Sequence, residues 1–168
     1  MTYSLNTLNA SAAAKSPPRT GAARFGHEIA LVVGLLALVF WLLALVSYSA
    51  QDAAWSTSGA RDVRSVANWA GRFGAWLADG SYFALGFSVW WCVAAGVRAW
   101  LSSLARWMRG GEVVAGAASP LVRRATFWGG LVVLMCSSTA LEWSRLYRFE
   151  TFLPGHAGGV LGLSLIHI

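Results

Sequence analysis

The sequence predicts an all-α integral membrane protein: a helical bundle with three complete transmembrane helices, the start of a fourth, and an amphipathic interfacial helix in the first external loop. The first observation is a set of three uncharged apolar runs, Ile29–Tyr48, Ser81–Val97 and Ala125–Leu141. A helix needs about 20 residues, within a range of about 17–25, to cross the hydrocarbon core of a bilayer. The second observation is that only 12% of the 168 residues are charged, whereas a soluble domain carries about 25%.

The first apolar run follows a segment, residues 1–24, that is rich in Ala, Ser, Thr and Pro and has no apolar period. Such a composition predicts a disordered tail. The run itself has 20 residues, which exceeds the roughly 7–15 of a signal-peptide core. We interpret it as a transmembrane helix. The alternative is a cleaved leader, with Ser47 and Ser49 as the small residues of a cleavage site.

The orientation follows from the positions of the basic residues. Lys and Arg together number 3 before the first run, 3 in the loop Ala50–Gly80, 5 in the loop Arg98–Arg124 and 2 after the third run. Loops rich in Lys and Arg stay in the cytoplasm. The counts therefore predict a cytoplasmic second loop, a cytoplasmic N-terminus, and external first and third loops.

The first external loop carries a helical apolar period. From Asp62 to Ala78 the apolar residues recur at i, i+3, i+7, i+10 and i+11, namely Val66, Trp69, Phe73, Trp76 and Leu77. This spacing predicts an amphipathic helix, and Trp side chains favour the headgroup layer. The alternative is a re-entrant or kinked segment that leads into the second transmembrane helix.

The second apolar run has small residues at every fourth position, Ala84, Ser88, Cys92 and Gly96. In lipid, small residues let helix backbones approach closely, so these four are predicted to pack against other helices. Cys92 and Cys136 both lie in apolar runs and have no C-x-x-C spacing, so we interpret them as packing residues.

The motifs of several enzyme and transporter classes are absent from the sequence. A phosphate-binding loop requires a Lys after Gly, and the single lysine, Lys15, follows Ala14. The three histidines, His27, His156 and His167, lie outside the apolar runs, which also lack carboxylates, so a proton-coupled pathway is not indicated. We therefore predict no catalytic residues, no cofactor and no metal. The formal net charge of +6 reflects topology rather than nucleic-acid binding.

The last part of the chain contains the predicted start of a fourth transmembrane helix. From Gly158 only 11 residues remain, which as helix reach about 16 Å, roughly half a bilayer. Residues 163–168 are expected to be a truncated end or a cloning scar. The predicted organisation is thus a tail (1–24), a membrane domain (25–162) and this end segment.

Several stretches, read in order, resemble the N-terminal membrane domain of the FtsK/SpoIIIE family of bacterial DNA translocases. The stretches are Leu45–Ser56, Asn68–Asp79, Leu85–Trp91, Ser137–Tyr147 and Gly158–Gly162. One departure is Ala53, which stands where many members have Pro. The resemblance covers residues 25–162.

The resemblance implies a four-span anchor of a much larger protein. It implies a location in the inner membrane at the division septum and contacts with other membrane proteins of cell division. A long linker and a hexameric ATPase motor that pumps DNA would follow in the full-length protein. By this resemblance the segment would contact the lipid bilayer and no nucleic acid, it could form a homo-oligomer, and it would not be an enzyme.

Eight residues of the predicted outer loops are candidates for contacts with partners or between loops. They are Asp52, Trp55, Asn68, Gly71, Gly74, Asp79, Glu142 and Arg145. Two other functions are kept as alternatives: a small permease or channel component, and a generic membrane anchor of another enzyme.

Overall fold

A computed structural model of the chain describes residues 21–56, 66–109, 120–146, 150–151 and 153–167. The helices are α1 (Gly21–Val46), α2 (Gly71–Leu85), a 3₁₀ helix (Gly86–Ser88), α3 (Val89–Met108), α4 (Pro120–Arg145) and α5 (Gly159–His167). Most of the predicted tail lies outside the described residues, but residues 21–24 form the first turn of α1.

Three segments are long and apolar enough to cross a membrane, Arg24–Val46, Gly71–Met108 and Leu121–Arg145. The predicted fold class is therefore confirmed. Large apolar side chains on α1 and α4, such as Leu36 and Val133, are 64% and 66% exposed. Such exposure suits a surface that faces lipid, because lipid tails are as apolar as the side chains themselves.

α3 packs between α1 and α4 and is antiparallel to both. Trp107 Nε1 donates to Glu28 Oε1 over 3.3 Å, whereas Gly96, earlier in α3, packs on Leu38, later in α1. The contacts with α4 show the same reversal, since Arg98 lies over the ring of Phe127 and Ser88 lies against Ser138. We call the end where α1 and α4 both finish the loop end of the bundle.

α2 crosses α1 at the loop end instead of running beside it. The rings of Phe73 and Phe40 are 5.8 Å apart, and Trp41 Nε1 donates to Ser81 Oγ over 3.2 Å. From Phe73 to Ser81, eight residues along α2, the contact point on α1 moves by only one residue, from Phe40 to Trp41. In a parallel or antiparallel pair the contact would advance by about the same number on both helices, so α2 lies across α1.

The predicted amphipathic helix exists, but its bounds differ. Residues 66–70 are not helical, and α2 begins at Gly71, nine residues after the predicted start at Asp62. Residues 62–65 lie outside the described residues. Within α2 the exposed face follows the predicted period, since Phe73 and Trp76 are 71% and 54% exposed. Trp69, which precedes the helix, is 73% exposed. The opposite face, which includes Ala78 and Asp79, is buried.

The second predicted transmembrane segment, Ser81–Val97, is wrong in its bounds, because the 3₁₀ helix interrupts it. As one straight helix the 38 residues of Gly71–Met108 would reach about 57 Å, nearly twice the hydrocarbon thickness. The turn at Gly86, where φ is +59°, separates α2 from α3. α3 alone has 20 residues, enough for about 30 Å. An uncharged composition does not reveal such a turn.

The chain also turns sharply before α5, where Gly158 has φ +79°. A Cβ on Gly158 would lie 2.3 Å from the carbonyl oxygen of Thr139 in α4. The backbone of the turn before α5 therefore sits directly on α4, and only glycine fits there. α5 packs on α4 and α2.

We expect Gly158→Ala to lower the free energy of unfolding by at least about 2 kcal/mol, because it adds both a clash and an unfavourable φ. Gly130→Ala in α4 is the matched control, since nothing lies within 4 Å of its Cβ position. The control should change stability by no more than about 1 kcal/mol. Reversible unfolding in detergent, followed by circular dichroism, measures both. Equal stabilities of the two variants would contradict the described packing.

Candidate functional site

Asp52 joins the two described ends of the first loop. Its side chain is buried, and Oδ1 accepts a hydrogen bond from the backbone N–H of Ala67 over 2.8 Å. Oδ2 accepts one from the backbone N–H of Asn68 over 3.0 Å. Hydrogen bonds to a carboxylate are stronger than neutral ones and offset the cost of burying the charge. Asp52 thus fixes the chain just before α2 against the turn that follows α1.

Asn68 and Tyr82 satisfy carbonyl groups at the end of α1. The last carbonyls of a helix have no partner within it. Asn68 Nδ2 donates to the carbonyl of Ala44 over 2.9 Å, and the Tyr82 hydroxyl donates to the carbonyl of Leu45 over 3.3 Å. Unpaired backbone groups are costly near hydrocarbon, so these side chains hold α1 and α2 together.

The two glycines predicted as contact residues shape the start of α2. Gly71 has φ +68°, and its N–H donates to the carbonyl of Asn68 over 2.9 Å. A Cβ on Gly74 would lie 2.6 Å from Asn68 Oδ1 and 2.3 Å from the Cβ of Ala70. Both glycines therefore serve the turn around Asn68 inside the chain.

Asp79 is fully buried in α2 and binds Ser56. Its carboxylate accepts from the Ser56 backbone N–H over 2.8 Å and from the Ser56 hydroxyl over 2.6 Å. Burial raises the pKa of Tyr48, and the nearby Asp79 carboxylate raises it further. The neighbouring Trp55 is 60% exposed, and its ring stands edge-on to Phe83 at 4.9 Å.

Glu142 ties the last turn of α4 to the 3₁₀ helix. It is 4% exposed, accepts from the backbone N–H of Phe87 over 2.9 Å, and forms a short hydrogen bond with the Ser88 hydroxyl. The sequence placed Glu142 beyond the third apolar run, as a candidate for contacts with partners or between loops. α4 instead continues through Arg145, and the helix turns Glu142 inward while Arg145 stays exposed.

Four of the buried polar residues belong to one region, which we call the polar cap: Asp52, Asn68, Asp79 and Glu142. Tyr82 connects its parts, because its ring lies 5.0 Å from that of Tyr48 and 6.2 Å from that of Phe87. Of the eight predicted contact residues, six thus contribute to contacts within the chain. Trp55 and Arg145 are exposed.

Sequence reasoning missed Tyr48, Ser56 and Tyr82 in this region. Tyr48 and Tyr82 were counted within apolar runs, and Ser56 within a turn. The positions of the two tyrosines could have indicated this role. A Tyr at the edge of an apolar run places its hydroxyl near the first polar groups of the loop. The identity of its partner required the three-dimensional arrangement.

The four small residues do not form a single stripe, because the 3₁₀ helix changes the chain direction. Ala84 lies on α2 against Gly159. Ser88 and Cys92 face α4, where Cys92 Sγ lies 3.6 Å from Met135 Sδ. Gly96 faces Leu38 of α1. Cys92 and Cys136 are both free and half-buried.

The polar cap has the chemistry of a structural network. Each of its carboxylates accepts hydrogen bonds from backbone or Ser groups of another element. Within the described part of the chain, no three His, Cys, Asp or Glu side chains come together as a metal site would require.

We expect Asp79→Ala to lower the free energy of unfolding by about 2–4 kcal/mol, since it leaves two buried donors of Ser56 unpaired. Arg145→Ala, at an exposed position of the same end, should stay within about 0.5 kcal/mol of the parent. Unfolding in detergent provides the measurement. A polar cap without structural importance would give the two variants the same stability.

Comparison with known proteins identifies relatives over nearly the whole chain. Residues 23–168 match the family described as the 4TM region of DNA translocase FtsK/SpoIIIE. DNA translocase FtsK 2 of Ralstonia nicotianae is 35% identical over 147 residues, which are 87% of this chain and 18% of that protein. DNA translocase FtsK 1 of Neisseria meningitidis serogroup A is 31% identical over 151 residues, which are 86% of this chain and 18% of that protein. No solved structure matches the chain.

The chain spans about a fifth of the length of these relatives. The matched range includes the three segments that can cross a membrane, the polar cap and α5. A family match over most of the chain and two relatives above 30% identity agree with each other. The chain therefore belongs to the FtsK/SpoIIIE family of DNA translocases, of which it is the membrane-anchoring 4TM region.

Proposed function

We propose that this region anchors a DNA-translocating protein in the bacterial inner membrane at the division septum and contacts other membrane proteins of cell division there. The observation that carries the proposal is the match of residues 23–168 to the 4TM region of DNA translocases. The relatives are named for translocating DNA. We assign DNA translocation to a motor region of the full-length protein, and to none of the residues described above.

The proposed orientation has the N-terminus in the cytoplasm and the polar cap outside. The start of α1, the end of α3 and the start of α4 lie at the same end of the bundle, as the Glu28–Trp107 and Arg98–Phe127 contacts require. This end carries Arg24, Arg98, Arg106, Arg109, Arg123 and Arg124. An excess of Arg near the ends of transmembrane helices favours the cytoplasmic side.

The region itself is proposed to be an anchor without catalytic activity. The carboxylates of Asp52, Asp79 and Glu142 are engaged in hydrogen bonds between elements. Such engagement favours a rigid external surface over proton or solute transfer. Trp55, which is exposed beside Phe83, is the side chain of the predicted set best placed for a partner protein.

The test places this chain in a bacterium whose own translocase lacks its membrane region. We expect a fluorescent fusion of the chain, joined to the resident protein, to concentrate at the septum and to restore division. Trp55→Ala should weaken septal enrichment. Trp69→Ala, at a position that is 73% exposed beside the start of α2, is the matched control. A fusion that inserts in the membrane, remains intact and spreads evenly would instead indicate a generic anchor.

A further inference from the structure

An open groove lies between α1 and α3, towards the end of the bundle opposite the loop end. Its first part has a volume of about 330 Å³ and is lined by residues that include His27, Gly34, Gly96, Trp100 and Ser103. A second part of about 180 Å³ shares Trp100 and continues along apolar side chains, among them Leu42, Val93 and Val97. The two parts follow the same helix pair over several turns.

Two glycines, Gly34 and Gly96, line the groove where larger side chains would otherwise fill the space. A Cβ atom placed on Gly34 of α1 would lie 3.5 Å from Cδ1 of the Trp100 ring. Gly96 of α3 approaches only the end of Leu38. Trp100 is held in place because its Nε1 donates to the carbonyl of Leu31 over 2.9 Å. The helices are thus fixed at a separation that leaves room between them.

One end of the groove is polar and the rest is apolar. His27 Nε2 is buried and has no hydrogen-bond partner among the described residues. Ser103 lines the same part of the groove. Burying a ring nitrogen without a partner is unfavourable, so the site favours a ligand with an oxygen at this position.

Basic residues lie just beyond the polar end. Arg24 precedes His27 by three residues and Arg106 follows Ser103 by three, and residues three apart share a helix face. Both arginine side chains are exposed. The carboxylate of Glu28 is also near this end, but it is already engaged by Arg24 at 3.7 Å and by Trp107. Two arginines and one carboxylate leave this end with a net charge of +1 (2 − 1), which suits an anion.

The length of the groove suits one lipid leaflet. From His27 to Leu42 the helix rises about 22 Å, whereas half of the hydrocarbon core is about 15 Å thick. The groove can therefore take an acyl chain together with the polar part of its lipid. The chain's own fourth segment is not the occupant, because α5 packs on α4 and α2 at the loop end.

We propose that this groove binds one phospholipid of the surrounding leaflet, preferably an anionic one. Its phosphate accepts hydrogen bonds from His27 and Ser103 and faces Arg24 and Arg106, and one acyl chain lies along the α1–α3 groove. The lipid would fill the open groove beside the contacts that Trp100, Trp107 and Leu38 make between α1 and α3. This binding site goes beyond the anchoring function and does not depend on septal localisation.

The test measures how much lipid the full chain retains when it is purified in mild detergent and supplied with phosphatidylglycerol. Native mass spectrometry should show one phosphatidylglycerol bound to the parent chain. Gly96→Leu places a side chain in the groove, and we expect it to lower the bound fraction at least about tenfold. Gly130→Leu, which faces open space on α4, is the matched control and should bind like the parent.

A second variant tests the headgroup separately and keeps the helix packing. His27→Ala should weaken phosphatidylglycerol binding about fivefold, the effect of one hydrogen bond. It should not alter the binding of a diacylglycerol with the same acyl chains, which has no phosphate. Equal lipid retention by the parent, Gly96→Leu and His27→Ala would overturn the proposal. A dimer of the parent chain that Gly96→Leu dissociates would also overturn it, because the groove would then hold a second copy.

Discussion

The structure depends on one constraint: a carboxylate buried at the membrane boundary must be given hydrogen-bond donors. Asp52, Asp79 and Glu142 each receive two, and in every case at least one donor is a backbone N–H of another element. An unpaired buried charge would be far more costly than the few contacts that position it. The requirement therefore fixes where α2 lies, where the chain turns into α3, and how α4 meets that turn.

This constraint explains why the loop end is ordered although lipid provides little driving force for helix association. The apolar surfaces of α1 and α4 gain little by leaving lipid for protein. Hydrogen bonds at the loop end compensate for this. Trp100 and Trp107 do the same near the other end, because both bond α3 to α1. The bundle is thus secured at both ends, and the groove lined by Trp100 runs from His27 along α1 and α3 towards the polar cap.

The sequence predicted the transmembrane class and an amphipathic helix. It also singled out all four residues of the polar cap, although as candidates for contacts with partners or between loops. Length and charge suffice for the transmembrane class, and the exposed face of Phe73 and Trp76 follows from their spacing. The bounds of the second transmembrane helix could not be predicted, because the turn at Gly86 lies within an uncharged run. The inward direction of Glu142 was missed for a related reason. Its burial depends on the 3₁₀ helix, which brings donors to it from more than 50 residues away in the sequence.

The same network bears on function. Under the proposed function, a rigid cap would give partner proteins a fixed surface, whereas loops that move would lose entropy on each binding event. Most of the side chains predicted from the sequence as contact residues are then part of the scaffold, and we propose that exposed aromatic residues such as Trp55 serve recognition.

Amide hydrogen exchange of the chain in lipid nanodiscs, followed by NMR, tests the central claim most directly. The backbone N–H groups of Asn68 and Phe87 lie outside regular α-helix and are bound by the carboxylates of Asp52 and Glu142. We expect both to exchange at least about 100-fold more slowly than an unstructured chain, as for groups that open only with a larger unit of structure. Exchange at the unstructured rate would show that the carboxylates do not hold the loop end, and would contradict the account.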